Sequence, residues 1–396
     1  MDDLTTHDQA DKVLAEGTTN LRAMLGEDWE VSIQPEAASP QGGDTGWDAV
    51  IRLASRHDSI FTELLVEART KLTPKDVAGH ISSKAQLVRR INRHTRLMVF
   101  APWISPKTQE ELQRREIDYL DLTGNVSLRV TRPAIIIRTL GADRAPAGHR
   151  APSSKPMLTG PAAGRLVRLL ADVRPPYRAT DLAKSAQLSV PYVSKLLDAL
   201  EDQLLIGRDN KVIAHVDWQA LLRTRAGALD LAHHSNPVGM LAPMGIQPVI
   251  EQLVQADGFA AGSEILVTGS YAARPVAPIA VGGQLMIYAT RHDDASMTRL
   301  AQELGLMPVP EAADVLILAP WDLSVLHRPA RLDRYWQVGL SQLVLDCLSG
   351  PGRMPAEGEK VLEFMAANED IWRLDDLGQA GRHRTIDPGT RPQKLF

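Results

Sequence analysis

Apolar and polar residues alternate in short runs through the first third of the chain, and runs of this length predict strands. The candidates are Trp29–Gln34, Asp48–Ala54 (DAVIRLA), Thr62–Ala68 (TELLVEA), Leu97–Pro102 (LMVFAP), Asp118–Leu122, Val126–Val130 and Ala134–Thr139. Helical spacing predicts helices near residues 8–25, over Pro74–Arg93 and over Lys107–Arg115. Thr73 stands as the cap of the second, with Pro74 at its first helical position. Residues 35–46 (PEAASPQGGDTG) read as a loop. This order of elements describes a small mixed α/β domain.

From residue 161 the period becomes helical. Leu166, Leu169, Leu170 and Val173 share one face, and Pro175–Pro176 end that helix. Thr180 is placed to cap a second helix (DLAKSAQ) with Leu182, Ala183 and Ala186 inward. Ser189 is placed to cap a third (VPYVSKLLDALEDQ), whose core face is Val193, Leu196, Leu197 and Leu200. LLIGRDNKVIAHV then reads as strand, polar turn and return strand. The run resembles a winged helix-turn-helix of the bacterial regulator type. That resemblance implies a DNA-binding set of Arg178, Thr180, Ser189, Tyr192, Ser194 and Lys195, with the start of the third helix facing base edges in the major groove. Arg208, Asn210 and Lys211 at the wing tip would reach phosphates or the minor groove. Winged helices also serve as protein-binding modules, which is the competing reading.

In the C-terminal part, the apolar strand EILVTGS (264–270) runs into Gly269–Ser270 at a helix start. Nucleotidyltransferases open in a similar way, with a following strand that supplies two alternate carboxylates for metal. Gln284 and Met286 occupy those places here, so the resemblance implies a degenerate domain without two-metal chemistry. Further on, Ser341, Gln342, Leu343, Leu345 and Asp346 (S-x-Q-L-x-L-D) and Gly350–Arg353 (G-P-G-R) resemble the C-terminal domain of AbiEi-type antitoxins. IDYLDLTGNVSL (117–128) is similar to segments of regulators in that broader group. Asp346 and Arg353 are a candidate structural ion pair. AbiEi proteins begin with the winged helix, whereas here another domain precedes it.

The expected organisation is multidomain α/β and α+β. Residues 1–140 form a nuclease-like α/β domain, and 141–157 (GADRAPAGHRAPSSKPM) a linker. Residues 158–226 form the central winged helix-turn-helix, 227–376 the AbiEi C-terminal-like, degenerate nucleotidyltransferase-like domain, and 377–396 a flexible tail.

Composition narrows the classes. The single cysteine, Cys347, excludes a disulfide framework and a cysteine-rich zinc site. Aromatic residues at 5% argue against a stacking platform for single strands. No apolar stretch nears the roughly 18 residues of a spanning helix, and the acidic start lacks a basic leader. The expected location is cytoplasmic and nucleoid-associated, away from membranes. The net charge of −4 conceals an asymmetry. Residues 1–48 carry 2 Lys/Arg against 11 Asp/Glu, residues 49–157 carry 19 against 10, residues 158–226 carry 10 against 7, and residues 227–396 carry 13 against 20. Basic middle segments between acidic ends suit a polyanion contact made by part of the molecule. Arg89, Arg93 and Arg96 form a possible backbone-contacting stripe, unless they are simply a solvated face.

One acidic constellation remains. Asp48 opens a strand, and Glu67-Ala68-Arg69 closes the next. This resembles the PD-(D/E)XK nucleases, where two carboxylates hold Mg²⁺ and a lysine stabilises the attacked phosphate or the attacking water. Here Arg69 stands for that lysine and Trp47 for the proline. Arginine neutralises charge but does not exchange protons near neutrality, so an inactive domain is expected. An unrelated α/β core is the alternative to a nuclease relative.

The reading that joins these parts is a sequence-specific transcriptional regulator of the AbiEi-like group that binds double-stranded DNA as a possible homodimer. Its acidic C-terminal domain is available to a protein partner, and no cofactor is expected. One alternative is a nuclease using Asp48, Glu67 and Arg69, the only case that calls for Mg²⁺. The other is an antitoxin that neutralises a protein.

Overall fold

The computed structural model describes residues 2–35, 47–91, 95–146, 158–255, 265–279 and 283–380. Arg93, the expected linker from residue 147 onward, and the tail from residue 381 lie outside the described residues. The fold is multidomain α/β. It divides into two compact units, one of residues 1–156 with 199–204, the other of 157–198 with 205–396.

The first unit is built on a sheet of seven strands lying in chain order: β1 (Trp29–Pro35), β2 (Ala49–Ser55), β3 (Phe61–Ala68), β4 (Arg96–Ala101), β5 (Asp118–Asp121), β6 (Val126–Val130) and β7 (Ile135–Thr139). Only β3–β4 and β4–β5 pair in parallel. Parallel neighbours need crossovers, and helices stand at both places. Between β3 and β4 run α2 (Pro74–Asp76), a π-helical turn (Val77–Ile81) and α3 (Ser82–Ile91). Between β4 and β5 runs α4 (Pro106–Arg114). Thr73 caps the first of these through a capping box with Asp76.

Two cores flank this sheet. On one face, Val13 and Leu21 of α1 (Asp2–Leu25) pack with Ile51, Leu64, Met98 and Phe100. Gly17 lets α1 approach closely, because a Cβ there would lie 2.5 Å from the Phe100 ring. On the other face, Val77, Ile81, Ala85 and Leu112 pack with Leu97, Val99 and Tyr119.

The second unit starts with α5 (Pro161–Asp172), β8 (Tyr177–Arg178), α6 (Ala179–Ala186) and α7 (Val190–Asp202). The hairpin of β9 (Ile206–Asp209) and β10 (Val212–Val216) comes after them, and β10 lies between β8 and β9 in a three-stranded sheet. Next come α8 (Trp218–Ala226), α9 (Leu231–Ser235), β11 (Val238–Leu241), α10 (Ile246–Gln255), β12 (Ile265–Thr268) and α11 (Gly269–Ala273). The chain continues through β13 (Leu285–Ala289), α12 (Asp294–Glu303), β14 (Met307–Pro308) and β15 (Val315–Leu318). It closes with α13 (Leu340–Leu348), α14 (Met354–Ala367) and α15 (Glu369–Trp372). Strands β12, β13, β15, β11 and β14, in that order, form a mixed sheet in which only β13–β15 is parallel.

Residues 158–226 do not stand apart from the C-terminal part of the second unit. Helices α5 and α8 pack on each other and on α13. Arg373 donates from Nε to the Ala171 carbonyl at 3.1 Å and from Nη2 to the Val173 carbonyl at 3.2 Å. Trp218 meets Trp372 edge-on with ring centroids 5.0 Å apart. Apolar side chains of α5 are buried nearly all round, which needs cover on more than one side.

Candidate functional site

Helix α6 ends at Gln187, which adopts a left-handed backbone (φ 55°) and turns the chain into α7. Ser189 accepts the Tyr192 amide at its hydroxyl and the Val193 amide at its carbonyl, so it caps α7 as its sequence position suggested. Val193, Leu196 and Leu197 are buried, while Ser189, Val190, Tyr192 and Lys195 are exposed and Ser194 is half-buried. Val190 and Tyr192 keep 42% and 38% of their surface at this helix start.

Asn210 and Lys211 form the exposed turn of the β9–β10 hairpin, Asn210 with a φ of 49° that asparagine tolerates. Two expected contacts differ. Arg208 lies on β9 opposite Ile213, and its Nη1 donates to the exposed Asp198 of α7 at 2.7 Å, so it is paired along the surface with α7. Thr180 sits inside the first turn of α6 and does not cap it. The cap is Arg178, whose amide donates to Asp181 at 3.4 Å, because the extended β8 ends only there. Both residues are exposed.

Of the expected arginine stripe Arg89 and Arg96 are described, Arg93 is not, and the two described residues stand on different elements. Helix α3 is described only to Ile91, and Arg96 belongs to β4. Arg89 donates from Nη2 to the carbonyls of Arg115 and Glu116, each at 2.8 Å. Arg96 grips Asp118 from Nε at 2.8 Å and from Nη2 at 3.2 Å. That pairing holds the Arg96 guanidinium above its ordinary range, whereas burial outweighs the same pairing at Asp118 and raises its carboxyl. Both arginines secure the approach to β5.

Asp48, immediately before β2, lies beside Glu67 of β3 in the strand register. Asp48 donates its amide to the Val66 carbonyl at 2.9 Å and accepts the Ala68 amide on Oδ2 at 2.7 Å. Glu67, 2% exposed, is held on one oxygen by Arg69 and on the other by Lys84 Nζ at 2.6 Å. Lys84 is the residue that sequence reasoning missed. It lies between Ile81 and Val88 on the buried stripe of its helix, and a lysine in such a stripe signals an acidic partner. Glu67 thus has both oxygens occupied by cations, and no group of three or more His, Cys, Asp or Glu able to hold a metal occurs among the described residues.

In the second unit, Asp346 does not pair with Arg353, which is exposed at the start of α14. Its Oδ2 accepts Thr268 Oγ1 at 2.6 Å, and its Oδ1 accepts Gln342 Nε2 at 2.7 Å and Tyr288 OH at 3.2 Å. Burial pushes this carboxyl up to about 6 against the pull of those three donors. Nearby, Ser270 Oγ donates to Glu357 at 2.5 Å, Gln284 donates to the Ala313 carbonyl at 2.8 Å and Met286 is buried. The S-x-Q-L-x-L-D residues therefore build an interior polar network. Asp121 of the DLTGN segment is likewise internal. It accepts the amides of Ile104, Thr123 and Asn125 and ties that turn together.

No helix among the described residues is long and apolar enough to cross a membrane. No protein-family model matches the chain, and no curated protein or solved structure matches it either.

Proposed function

We propose that this chain is a sequence-specific, double-stranded-DNA-binding regulator in which residues 158–226 form a winged helix-turn-helix. The observation that carries the reading is the exposed start of α7. Ser189, Tyr192 and Lys195 project from a helix whose opposite side is buried, beside a three-stranded sheet whose hairpin turn presents Asn210 and Lys211. A helix presented this way enters a major groove with its first turns against base edges, while a cation on the hairpin neutralises phosphate.

Reading by the chain as a homodimer, a nuclease-like ancestry of the first unit, and the relation to AbiEi antitoxins belong to the same proposal. The last rests on the S-x-Q-L-x-L-D and G-P-G-R motifs. The first unit then acts through its surface and not through cleavage, since Glu67 is engaged by Arg69 and Lys84.

Fluorescence anisotropy on the chain's own promoter fragment against random duplex, at two salt concentrations, tests the reading. Tyr192→Ala should weaken the specific complex by roughly 1–3 kcal/mol and leave random DNA nearly unaffected. Lys211→Ala should weaken both alike and reduce the salt slope by about 1. Equal losses on both duplexes for both variants would show that α7 does not read sequence. Probe cleavage on adding Mg²⁺ would favour the nuclease alternative.

A further inference from the structure

Two adjoining cavities lie against β12, the edge strand of the mixed sheet in the second unit. The larger, about 250 Å³, is mostly apolar and is lined by Leu253 of α10, Val267 of β12, Leu304 after α12 and the aromatic pair Tyr335 and Trp336. The smaller, about 130 Å³, is more polar and is lined by Thr290, Arg291, Ser296 and Arg299. Ile265, Leu300 and Glu303 line both, so the two spaces share a wall.

The fold explains this placement. Ser296, Arg299, Leu300 and Glu303 recur at the spacing of one helix face, and Ile265 and Val267 at that of one strand face. Ile265 lies opposite Ala289, where β13 ends and runs into Thr290 and Arg291. The aromatic wall is held in place. The Val267 amide donates to the Trp336 carbonyl at 3.0 Å, and Tyr335 OH donates to the Tyr271 carbonyl at 2.8 Å. The Arg331 guanidinium lies 5.8 Å from the centroid of the Trp336 ring. Arg299 and Glu303 are exposed and stand one turn apart, yet among the described residues neither side chain has a hydrogen bond or ion pair.

Size and charge together restrict the occupant. An apolar cavity of roughly 150 Å³ admits benzene, so the larger space has room for a ring or a branched aliphatic group. The smaller one is lined by two arginines and a glutamate, the complement of a zwitterion. An apolar acid would be repelled by Glu303, and an apolar amine by the arginines. We propose that the paired cavities bind a free α-amino acid with a large apolar side chain. That side chain occupies the larger cavity, the carboxylate meets Arg291 and Arg299, and the ammonium meets Glu303. This site does not rest on the DNA-binding reading.

Calorimetric titration of the full chain with L-phenylalanine, beside tryptophan fluorescence, tests the assignment. Saturable binding is expected. Alanine should bind about tenfold more weakly or worse, for want of the ring. Phenethylamine and 3-phenylpropanoate, each lacking one charge, should bind severalfold more weakly than phenylalanine, the modest loss that exposed ion pairs allow. Arg299→Gln should weaken phenylalanine severalfold. Glu303→Gln should do the same while strengthening 3-phenylpropanoate, since it removes a repulsion. Both replaced side chains are exposed, so these variants keep the fold. Trp336→Phe should remove most of the fluorescence change while calorimetric binding persists. No saturable binding, equal affinity for phenylalanine and 3-phenylpropanoate, affinity unchanged in both charge variants, or a fluorescence change retained in Trp336→Phe would each overturn the proposal.

Discussion

Asp346→Asn should reverse part of the pH dependence of stability. Asp346 is fully buried, and its carboxyl titrates near 6 in the fold against 3.8 ordinarily. The folded state therefore holds its proton more tightly than the unfolded chain. The resulting stabilisation is complete below about 3.8 and is lost as pH rises through about 6. A shift of about two units corresponds to roughly 3 kcal/mol, of which some 2–3 kcal/mol falls between pH 4 and pH 7. Asparagine resembles the protonated acid. Its carbonyl can accept from Gln342 and Tyr288, while its amide donates to the Thr268 hydroxyl, which is able to turn and accept. The variant should consequently gain on the wild type by about 2–3 kcal/mol as pH is raised from 4 to 7. Urea denaturation of both proteins at pH 4, 5, 6 and 7, compared through their midpoints, reads this directly. A difference between the two that stays flat, or that moves the other way, would mean that the three donors, with the charge of Arg168 buried on α5, keep Asp346 ionised in the fold.

Gly17→Ala should destabilise the first unit by about 1–3 kcal/mol, because its Cβ collides with the Phe100 ring and neither α1 nor β4 can easily retreat. A midpoint in urea unchanged from wild type would show that α1 docks differently. Lys84→Met should cost about 2–3 kcal/mol, less than a fully dry pair because Lys84 reaches solvent and Arg69 still serves Glu67. Adding Glu67→Gln should recover part of that loss. A single variant within about 0.5 kcal/mol of wild type would make the pair dispensable.

Local pattern determined most of the elements. Alternation at β2 and β3, the capping box at Thr73 and the helical stripes of α5 and α7 are decided over a few residues, by backbone sterics and by which face meets water. The start of α7 was legible for the same reason, since its cap and its buried positions lie within one short stretch. Charged groups inside those stripes were a different matter. Lys84, Arg168 and Asp346 each sit at an apolar position of their helix, which announces a partner without saying which one. Each has a partner far along the chain. Glu67 is 17 residues from Lys84, Thr268 is 78 from Asp346, and the Ser324 carbonyl that Arg168 reaches is 156 away. Only packing brings such groups within hydrogen-bond range, and their charge is tolerable in the interior because those partners are present. Arg89, Arg96 and Arg208 show the reverse case: each looked free to meet a phosphate, and each was drawn to an acceptor that the tertiary structure supplies. The sequence by itself thus determined which segments become helices and strands and which helix start is left exposed, whereas tertiary structure alone decided where each charge is spent, because a charge goes to the partner that folding brings nearest.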